Sequence, residues 1–246
     1  MMVYEQSQMH SLMQDTFVSF PTHEPRVNNI ARMLQSLLDQ WPADQVLLVI
    51  AEDLELPTFV EDSGIRIVRS KDYGAFKKHG LLYMDLGIEQ YVVVDDDTVF
   101  PKGWFENLLL WSDRLPGRVV CGRGRIWQPT PVLHYPNSET VFSGLIIEPV
   151  LCHIYVGVGT AVFRWDYFEP DVFPFPKREF TYDDDIWMSA KLKDNVSISV
   201  IPYSKEKHNE NISGPEELPY AWEQSKSMRA GHGRQICRLQ QSPEGA

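Results

Sequence analysis

The fold of this chain is decided by the stretch Tyr91-Val92-Val93-Val94-Asp95-Asp96-Asp97-Thr98-Val99-Phe100. Its apolar, mostly β-branched first part is typical of a buried strand. Three carboxylates follow in a row, and because like charges repel one another, we expect the fold to supply a cation beside them. In extended backbone, Asp95 and Asp97 point to one side and Asp96 to the other. Two carboxylates can therefore converge on one divalent ion, or on an ion and a ligand hydroxyl.

The composition of the chain excludes several classes of protein. The 246 residues, 43% of them hydrophobic, suffice for one α/β domain or two small ones. The formal net charge of −11 argues against a nucleic-acid-binding surface, which is normally basic. Three irregularly spaced cysteines predict neither a disulfide framework nor a zinc site and favour a cytoplasmic location. No apolar run reaches the roughly 20 residues of a membrane span, which predicts no transmembrane segment and is compatible with peripheral membrane association.

Strands alternate with helices through the first 100 residues. Four short apolar strands are predicted there, at 16–20, 46–50, 65–68 and 91–94. Helices are predicted between them at 27–40 and 76–86. The alternation predicts an α/β fold with a mostly parallel central sheet flanked by helices. Polar residues follow all four strands, at the carboxyl ends where such sheets bind ligands, so we predict a nucleotide-binding half at 1–100.

The second half of the chain has a different pattern. Helices are predicted at 104–115, 186–192 and 221–239, and strands at 119–127, 154–164 and 196–201. Four prolines between residues 128 and 150 are typical of an extended loop or an edge strand. We therefore expect residues 101–246 to complete the same domain with a smaller, mixed sheet.

A second acidic triplet, residues 183–185, directly precedes a predicted helix. Acidic side chains at that position cap a helix and complement its dipole, but one Asp would serve that purpose. A carboxylate near a metal site can also act as a general base that takes a proton from an attacking hydroxyl. The two triplets together favour this second interpretation.

Two further features have a structural and a functional interpretation. Gly157 and Gly159 either permit a bulge or turn, or allow backbone to approach a ligand closely. His208 lies in a predicted polar loop. It is either a third metal ligand, a phosphate contact or an ordinary exposed histidine.

Taken together, these residues resemble a glycosyltransferase of the GT-A fold, in the nucleotide-diphosphosugar transferase superfamily. The similarity is greatest to small bacterial family-2-like enzymes of surface polysaccharide synthesis and extends from about Thr16 to Ile201. It is carried by five short motifs, at 20–23, 50–53, 71–74, 95–97 and 184–187. The resemblance implies a single GT-A domain, with residues 1–100 as its nucleotide-sugar-binding half and 101–246 as its acceptor-binding and catalytic half.

The resemblance also implies contacts with a nucleotide-diphosphosugar donor. Thr22 and Asp53 would contact the base or ribose, and Lys77 or Lys78 would approach the diphosphate or base. Asp95 would touch the ribose or donor sugar. The segment 157–160, with Gly157 and Gly159, would shape the pocket for the donor sugar and a saccharide or lipid-linked acceptor.

A divalent cation, Mn²⁺ or Mg²⁺, is implied by the same resemblance. Asp97 would bind the ion, with Asp95 beside it and His208 as a candidate third ligand, and the ion would bridge the diphosphate. For inverting transfer, an acid of the late triplet would deprotonate the acceptor hydroxyl. The pattern Asp-Asp-hydrophobic favours Asp185, with Asp184 second, whereas Asp-x-Asp-hydrophobic favours residue 183.

Three other classes of protein compete with the transferase. A nucleotidyltransferase that makes a nucleotide sugar shares the fold type and the metal, but its Gly-rich, Arg-containing N-terminal signature is absent from this chain. A phosphatase of the haloacid dehalogenase type carries Asp-x-Asp-x-Thr/Val after a strand, which residues 95–99 match. Its motif normally lies on the first strand, however, and here three strands precede it. A non-catalytic nucleotide-sugar-binding protein would have no reason to retain two triplets of mutually repelling carboxylates.

Overall fold

The computed structural model describes residues 6–24, 26–82, 88–127, 138–157, 160–174, 184–203 and 216–217, which contain three sheets and five α-helices. Within these ranges the strands are β1 (Thr16–Pro21), β2 (Val46–Ala51), β3 (Arg66–Ser70), β4 (Gln90–Val93), β5 (Thr98–Val99), β6 (Arg118–Cys121), β7 (Arg123–Trp127), β8 (Ser138–Phe142), β9 (Val150–Cys152), β10 (Ile154–Tyr155), β11 (Ala161–Arg164), β12 (Ser197–Val200) and β13 (Glu216–Glu217). The α-helices are α1 (Gln6–Gln14), α2 (Ala31–Leu38), α3 (Thr58–Glu61), α4 (Trp104–Arg114) and α5 (Asp184–Ala190).

The large sheet has eight described strands, in the order β3-β2-β1-β4-β11-β6-β12-β9. The first four are parallel to one another, and β6 is parallel to β12. Strand β11 runs antiparallel between β4 and β6, and β9 is an antiparallel edge strand beside β12. The predicted α/β class and mostly parallel sheet are therefore confirmed.

The smaller sheet, β10-β7-β8, is antiparallel throughout, so the prediction of a mixed sheet is wrong. A parallel pair needs a crossover connection of a dozen or more residues, usually a helix. The sequence between residues 123 and 155 contains no helical pattern of that length, and antiparallel pairing needs none. A two-stranded pair, β13 with β5, lies just after the first acidic triplet.

Packing on both faces explains why β2 is apolar without alternation. Each residue from Val46 to Ile50 is at most 1% exposed. Val46, Leu48 and Ile50 face one core, which α2 and α4 cover, while Leu47 and Val49 face the other. Residues of the 3₁₀ segment Gly74–Leu82 and of α5 belong to the second core. The sheet is thus buried between two layers, as expected for parallel strands.

Several elements differ from the sequence prediction. The helix predicted at 27–40 is a 3₁₀ turn at Arg26–Asn29 followed by α2. The helix predicted at 76–86 is a 3₁₀ segment, Gly74–Leu82, interrupted at His79. All residues from 76 to 82 are buried. The segment therefore has no exposed polar face whose spacing along the sequence could distinguish a 3₁₀ helix from an α-helix. The strand predicted at 119–127 divides at residue 122 between the two sheets.

The helices near the two ends of the chain were harder to predict. Helix α1 was not expected, because its polar residues conceal three core contacts, Met9, Leu12 and Met13. The helix predicted at 221–239 lies outside the described residues. None of the described helices has the length and hydropathy needed to cross a membrane.

Candidate functional site

Both acidic triplets lie at the carboxyl end of the parallel strands. Strand β4 ends at Val93 and leads directly into the first triplet, and β1 beside it ends just before Thr22. Strand β11 runs the other way, with Ala161 opposite Val93, so the segment before it reaches the same edge. The first turn of α5 brings residues 184 and 185 there as well.

Arg26 is the cation that pairs with two carboxylates of the first triplet. Its Nη1 donates to Asp96 Oδ1 at 2.8 Å and to Asp97 Oδ2 at 2.9 Å. Thr22 Oγ1 donates to the other oxygen of Asp96 at 2.8 Å. Both carboxylates are almost buried, with 5% and 9% of their side chains exposed. The cation expected beside the triplet is thus supplied, for these two acids, by the chain itself.

Lys78 joins the two acidic triplets. Its ammonium Nζ lies 2.8 Å from Asp95 Oδ1, 2.8 Å from Asp184 Oδ2 and 3.8 Å from Asp185 Oδ1. Only 3% of the Lys78 side chain is exposed. Although burial lowers the pKa of a lysine, the carboxylates of Asp184, Asp95 and Asp185 raise the pKa of Lys78 well above its ordinary value. A permanent positive charge therefore holds the site together.

Asp184 also contacts a buried network of hydrogen-bonded aromatic side chains. The ring of His79 is fully buried, with Nε2 2.9 Å from the Tyr155 hydroxyl and Nδ1 3.3 Å from the Tyr91 hydroxyl. Tyr155 also donates to Asp184 Oδ2 at 3.4 Å. Burial lowers the pKa of His79, so its imidazole is neutral. These contacts fix the orientation of the Asp184 carboxylate, and none of them is made with the neighbouring Asp185.

Asp184 and Asp185 are neighbours with opposite electrostatic properties. Burial alone would raise the pKa of Asp184, but Lys78 and His79 lower it below the ordinary range. For Asp185, burial and the adjacent Asp184 raise the pKa well above its ordinary value. The Asp185 side chain is 15% exposed and the Asp184 side chain 5%. Environments that push two carboxyl pKa values apart separate a supporting acid from one that exchanges protons.

Gly157 packs against the ion pair of Lys78 and Asp95. Its N–H donates to Asp185 Oδ1 at 3.2 Å. A Cβ atom at this position would lie 2.5 Å from Lys78 Nζ and 3.0 and 3.1 Å from the two Asp95 oxygens. The backbone of Gly157 thus approaches side chains of the site so closely that a Cβ atom has no room. Its close approach to a ligand stays a prediction.

Gly157→Ala is expected to lower the free energy of unfolding by about 1–3 kcal/mol, because the methyl group overpacks a buried ion pair. Urea unfolding measures the change. The direction of the change in stability is informative by itself. Gly157 has no positive φ, so without the close contact a Gly→Ala change would stabilise the protein by about 0.4–1 kcal/mol. A stabilised variant would contradict the close contact.

The other predicted site residues divide into three groups. Lys77 is buried but pairs with Asp72, at 2.6 Å, and not with either triplet. Asp53 is exposed in the turn after β2, and no hydrogen bond or ion pair joins it to the other site residues that the structure describes. Gly159, His208 and the first acid of the late triplet, residue 183, lie outside the described residues.

Three contributors to the site were not predicted as site residues: Arg26, His79 and Tyr155. Arg26 had a detectable pattern, because it is a basic residue in the polar loop after the first strand, where the predicted sheet binds ligands. Tyr155 had none, since it lies between two apolar residues and resembles an ordinary core position. His79 had none either, since it follows two lysines and nothing local indicates that it is buried.

A divalent ion is compatible with the donor set. Among the described residues, no three His, Cys, Asp or Glu side chains are arranged to hold a metal by themselves. Mg²⁺, however, is usually bound by one or two carboxylates together with substrate phosphates, and hard oxygen donors also suit Mn²⁺. Asp95 and Asp97 are such carboxylates at one strand end, and they pair with Lys78 and Arg26 respectively. An ion here would share them with those two cations and would require a phosphate ligand to complete its coordination.

No model of a known protein family matches the chain, and no curated protein matches it significantly. The function proposed below therefore rests on the residues of the chain.

Proposed function

We propose that the chain is a metal-dependent glycosyltransferase of the GT-A fold, which moves a sugar from a nucleotide-diphosphosugar to a hydroxyl of a saccharide or lipid-linked acceptor. The observation that carries this proposal is the Lys78 ammonium between the two triplets, 2.8 Å from Asp95 and 2.8 Å from Asp184. This arrangement supports a site in which Asp95 would contact the donor and Asp185, next to Asp184, would act as the base. The mostly parallel sheet, flanked by helices and joined to a smaller sheet, also supports the proposal.

Asp185 is the proposed general base. Its carboxylate is the more exposed of the pair, and its raised pKa gives it a higher proton affinity than an ordinary aspartate. The acceptor hydroxyl would give its proton to Asp185 while its oxygen attacks the anomeric carbon. The bond from that carbon to the diphosphate breaks, and the nucleoside diphosphate leaves with the electron pair. The configuration at the anomeric carbon is inverted.

Asp184 and Gly157 would position the base. Asp184, ionised and held by Lys78, fixes the start of α5, and the Gly157 N–H orients one oxygen of Asp185. Asp97, with Asp95, would hold Mn²⁺ or Mg²⁺ against the donor phosphates. A bound ion would supply Lewis-acid stabilisation of the departing diphosphate.

The competing phosphatase would need Asp95 as a nucleophile with room for a phosphoryl group. Asp95 Oδ1 is paired with Lys78, and the backbone of Gly157 packs so closely that a Cβ there would lie 3.0 and 3.1 Å from the two Asp95 oxygens. This crowding favours a carboxylate that makes fixed contacts over one that forms a covalent intermediate. Phosphate release from p-nitrophenyl phosphate, with phosphate trapped on Asp95, would overturn the transferase proposal.

A thermal-shift panel of nucleoside diphosphates, with and without Mn²⁺, tests the proposal. A ligand at about 100 times its Kd adds about 2.7 kcal/mol, which in a domain of this size raises Tm by roughly 5–10 °C. We expect one nucleobase to be preferred and Mn²⁺ to increase the shift. In Asp97→Asn, the increase due to Mn²⁺ should disappear.

Two results would count against the transferase. If no nucleoside diphosphate or nucleotide sugar stabilises the chain, the donor assignment is wrong. If a nucleotide sugar binds but is neither transferred nor slowly hydrolysed, the chain is a binding protein. Hydrolysis of the donor by water, followed as release of the nucleoside diphosphate, needs no knowledge of the acceptor.

A further inference from the structure

A chain of hydrogen bonds reaches Asp184 through three buried side chains. The Tyr91 hydroxyl lies 3.3 Å from His79 Nδ1, and His79 Nε2 lies 2.9 Å from the Tyr155 hydroxyl. That hydroxyl lies 3.4 Å from Asp184 Oδ2. All four residues are at most 4% exposed. Buried polar groups are normally paired, so each of the three contacts should have one donor and one acceptor.

The direction of every contact follows from the charge of Asp184. An ionised carboxylate only accepts hydrogen bonds, and the Lys78 ammonium, 2.8 Å away, keeps Asp184 ionised. Tyr155 therefore donates its one hydroxyl hydrogen to Asp184 and has none left for His79. His79 Nε2 must then be the donor to the Tyr155 oxygen. Since a neutral imidazole carries one N–H, Nδ1 is the acceptor, and Tyr91 donates to it.

The opposite direction would place lone pairs against a negative charge. His79 Nε2 also lies 3.7 Å from Asp184 Oδ2. If Nε2 were an acceptor, its lone pair would face the carboxylate in a buried site, where such repulsion is stronger than in water. Burial raises the pKa of Tyr91 and Tyr155 well above the ordinary value and lowers that of His79. Both hydroxyls therefore keep their hydrogens, and the imidazole stays neutral.

One phenylalanine packs against all three rings of the chain. The ring centroid of Phe163 lies 5.4 Å from that of His79, 5.6 Å from that of Tyr91 and 5.0 Å from that of Tyr155. The rings belong to three elements, the 3₁₀ segment Gly74–Leu82, β4 and β10. Packing of this kind holds the hydrogen-bonding atoms in place.

The two late acids differ in what already occupies their oxygens. Asp184 Oδ2 receives Lys78 at 2.8 Å and Tyr155 at 3.4 Å, and the side chain is 5% exposed. Asp185 is 15% exposed, and its Oδ1 accepts from the Gly157 N–H at 3.2 Å. To take a proton on Oδ2, Asp184 would have to give up one of its donors.

We propose that Tyr91, His79 and Tyr155 are positioning residues whose hydrogen bonds all point towards Asp184. Asp184 thereby stays a fixed hydrogen-bond acceptor, and the proton of the attacking hydroxyl goes to Asp185. The effect on proton transfer rests on the proposed function, whereas the direction of the chain does not.

The tautomer of His79 tests the direction of the chain in the wild-type protein. A long-range ¹⁵N–¹H correlation spectrum shows which ring nitrogen carries the hydrogen, and the His79 signals are assigned by their loss in His79→Gln. At neutral pH we expect hydrogen on Nε2 and none on Nδ1. Hydrogen on Nδ1, alone or together with Nε2, would overturn the proposal whatever reaction the protein catalyses.

Variants of the chain test its effect on the base. Tyr155→Phe removes only the hydroxyl that contacts Asp184, so kcat for transfer or donor hydrolysis should fall roughly 3- to 30-fold. The affinity for the nucleoside diphosphate should be unchanged. Tyr91→Phe, which acts two contacts further away, should have a smaller effect. His79→Leu should lose activity as Tyr155→Phe does, and His79→Gln, which keeps a donor and an acceptor, should regain part of it.

A buried tyrosine outside the chain provides the matched control. Tyr203 is 6% exposed, and its hydroxyl donates to the Lys102 carbonyl at 3.1 Å. Tyr203→Phe should lower the Tm and leave kcat unchanged. If kcat fell equally in Tyr203→Phe and Tyr155→Phe, the loss would reflect stability alone and the positioning role would be wrong.

The outcomes separate this proposal from the proposed function. A protein with hydrogen on His79 Nε2 that neither transfers nor hydrolyses a sugar supports the direction of the chain and contradicts the transferase. An active transferase in which Tyr155→Phe keeps the wild-type kcat overturns the positioning role and leaves the transferase standing.

Discussion

Asp185→Asn is expected to reduce sugar transfer by roughly 10²- to 10⁴-fold, the usual contribution of a positioned general base. The amide cannot accept the proton of the acceptor hydroxyl, so kcat falls. The donor affinity should be unchanged, because the donor contacts lie on the other triplet. Initial rates of donor hydrolysis or transfer give kcat, and calorimetry with the nucleoside diphosphate gives the affinity.

The stability of Asp185→Asn should be equal to or higher than that of wild type at neutral pH. Burial and Asp184 raise the pKa of Asp185, so the folded protein binds this proton more tightly than the unfolded chain does. A carboxyl group of this kind makes folding less favourable as pH rises through its unfolded and folded pKa values. The Asn variant removes that penalty, and its Tm at neutral pH should not fall.

Asp171→Asn is a suitable control for Asp185→Asn. Asp171 pairs with Lys191 at 2.6 Å, but 72% of its side chain is exposed and it lies outside the site. The kcat and Tm of the Asp171→Asn variant should remain close to those of wild type. If Asp185→Asn retained wild-type turnover, Asp185 would not be the base, and residues 183 and 184 would be the acids to test.

Lys78→Met is expected to lower the free energy of unfolding by about 3–5 kcal/mol, the usual effect of removing one partner of a buried ion pair. Methionine has a similar length and apolar volume, but it leaves Asp184 and Asp95 without their cation. Both lie against the ammonium at 2.8 Å in the native protein. Urea unfolding followed by circular dichroism measures the loss.

A neighbouring lysine provides the matched control. Lys77 is as buried as Lys78, but its partner Asp72 has 55% of its side chain exposed, so water can solvate the carboxylate that remains. Lys77→Met should therefore cost about 1 kcal/mol or less. The double variant Lys78→Met/Asp184→Asn should recover part of the loss, because it removes both charges of one pair.

The pH dependence distinguishes the ion pair from simple packing. Lys78 holds the pKa of Asp184 below its ordinary value, so the pair stabilises wild type above the unfolded pKa and loses this effect as pH falls. In Lys78→Met, burial dominates and Asp184 accepts a proton readily. The stability difference between the two proteins should therefore shrink on acidification, and a difference that does not depend on pH would contradict an electrostatic cause.

The extent to which sequence predicted the fold varied with the kind of element. Strands β1, β2 and β4 were predicted within one residue at every end, because runs of apolar, β-rich residues bounded by polar residues are distinctive. The 3₁₀ segment Gly74–Leu82 was not, since its lysines and histidine are buried as fully as its apolar residues. Burial of that kind depends on acids elsewhere in the chain, which local pattern does not contain.

The acidic residues of the site could be predicted from the sequence, but the basic residues that pair with them could not. The arrangement of the strands placed Asp95 and Asp97 at one edge of the predicted sheet, whereas a general-base role for the late acids was implied by the resemblance. It did not indicate which lysine would lie between them, because Lys77 and Lys78 are adjacent and only the backbone geometry assigns one to Asp72 and the other to the triplets. The position of Arg26 in the loop after the first strand was visible in the sequence, but its pairing with the triplet was not, since its partners lie 70 and 71 residues later.

The contact of Lys78 with both Asp95 and Asp184 has a consequence for the order in which the protein forms. During synthesis the N-terminal part of a chain emerges first, and pairs that are distant in sequence form late because they must close long loops. Lys78 and Asp95 are 17 residues apart, whereas Asp184 lies in the second half of the chain, so we expect it to join them later. A chain interrupted near residue 100 would carry Lys78 with Asp95 but without Asp184. We therefore expect the site to be completed only when both halves of the chain are present.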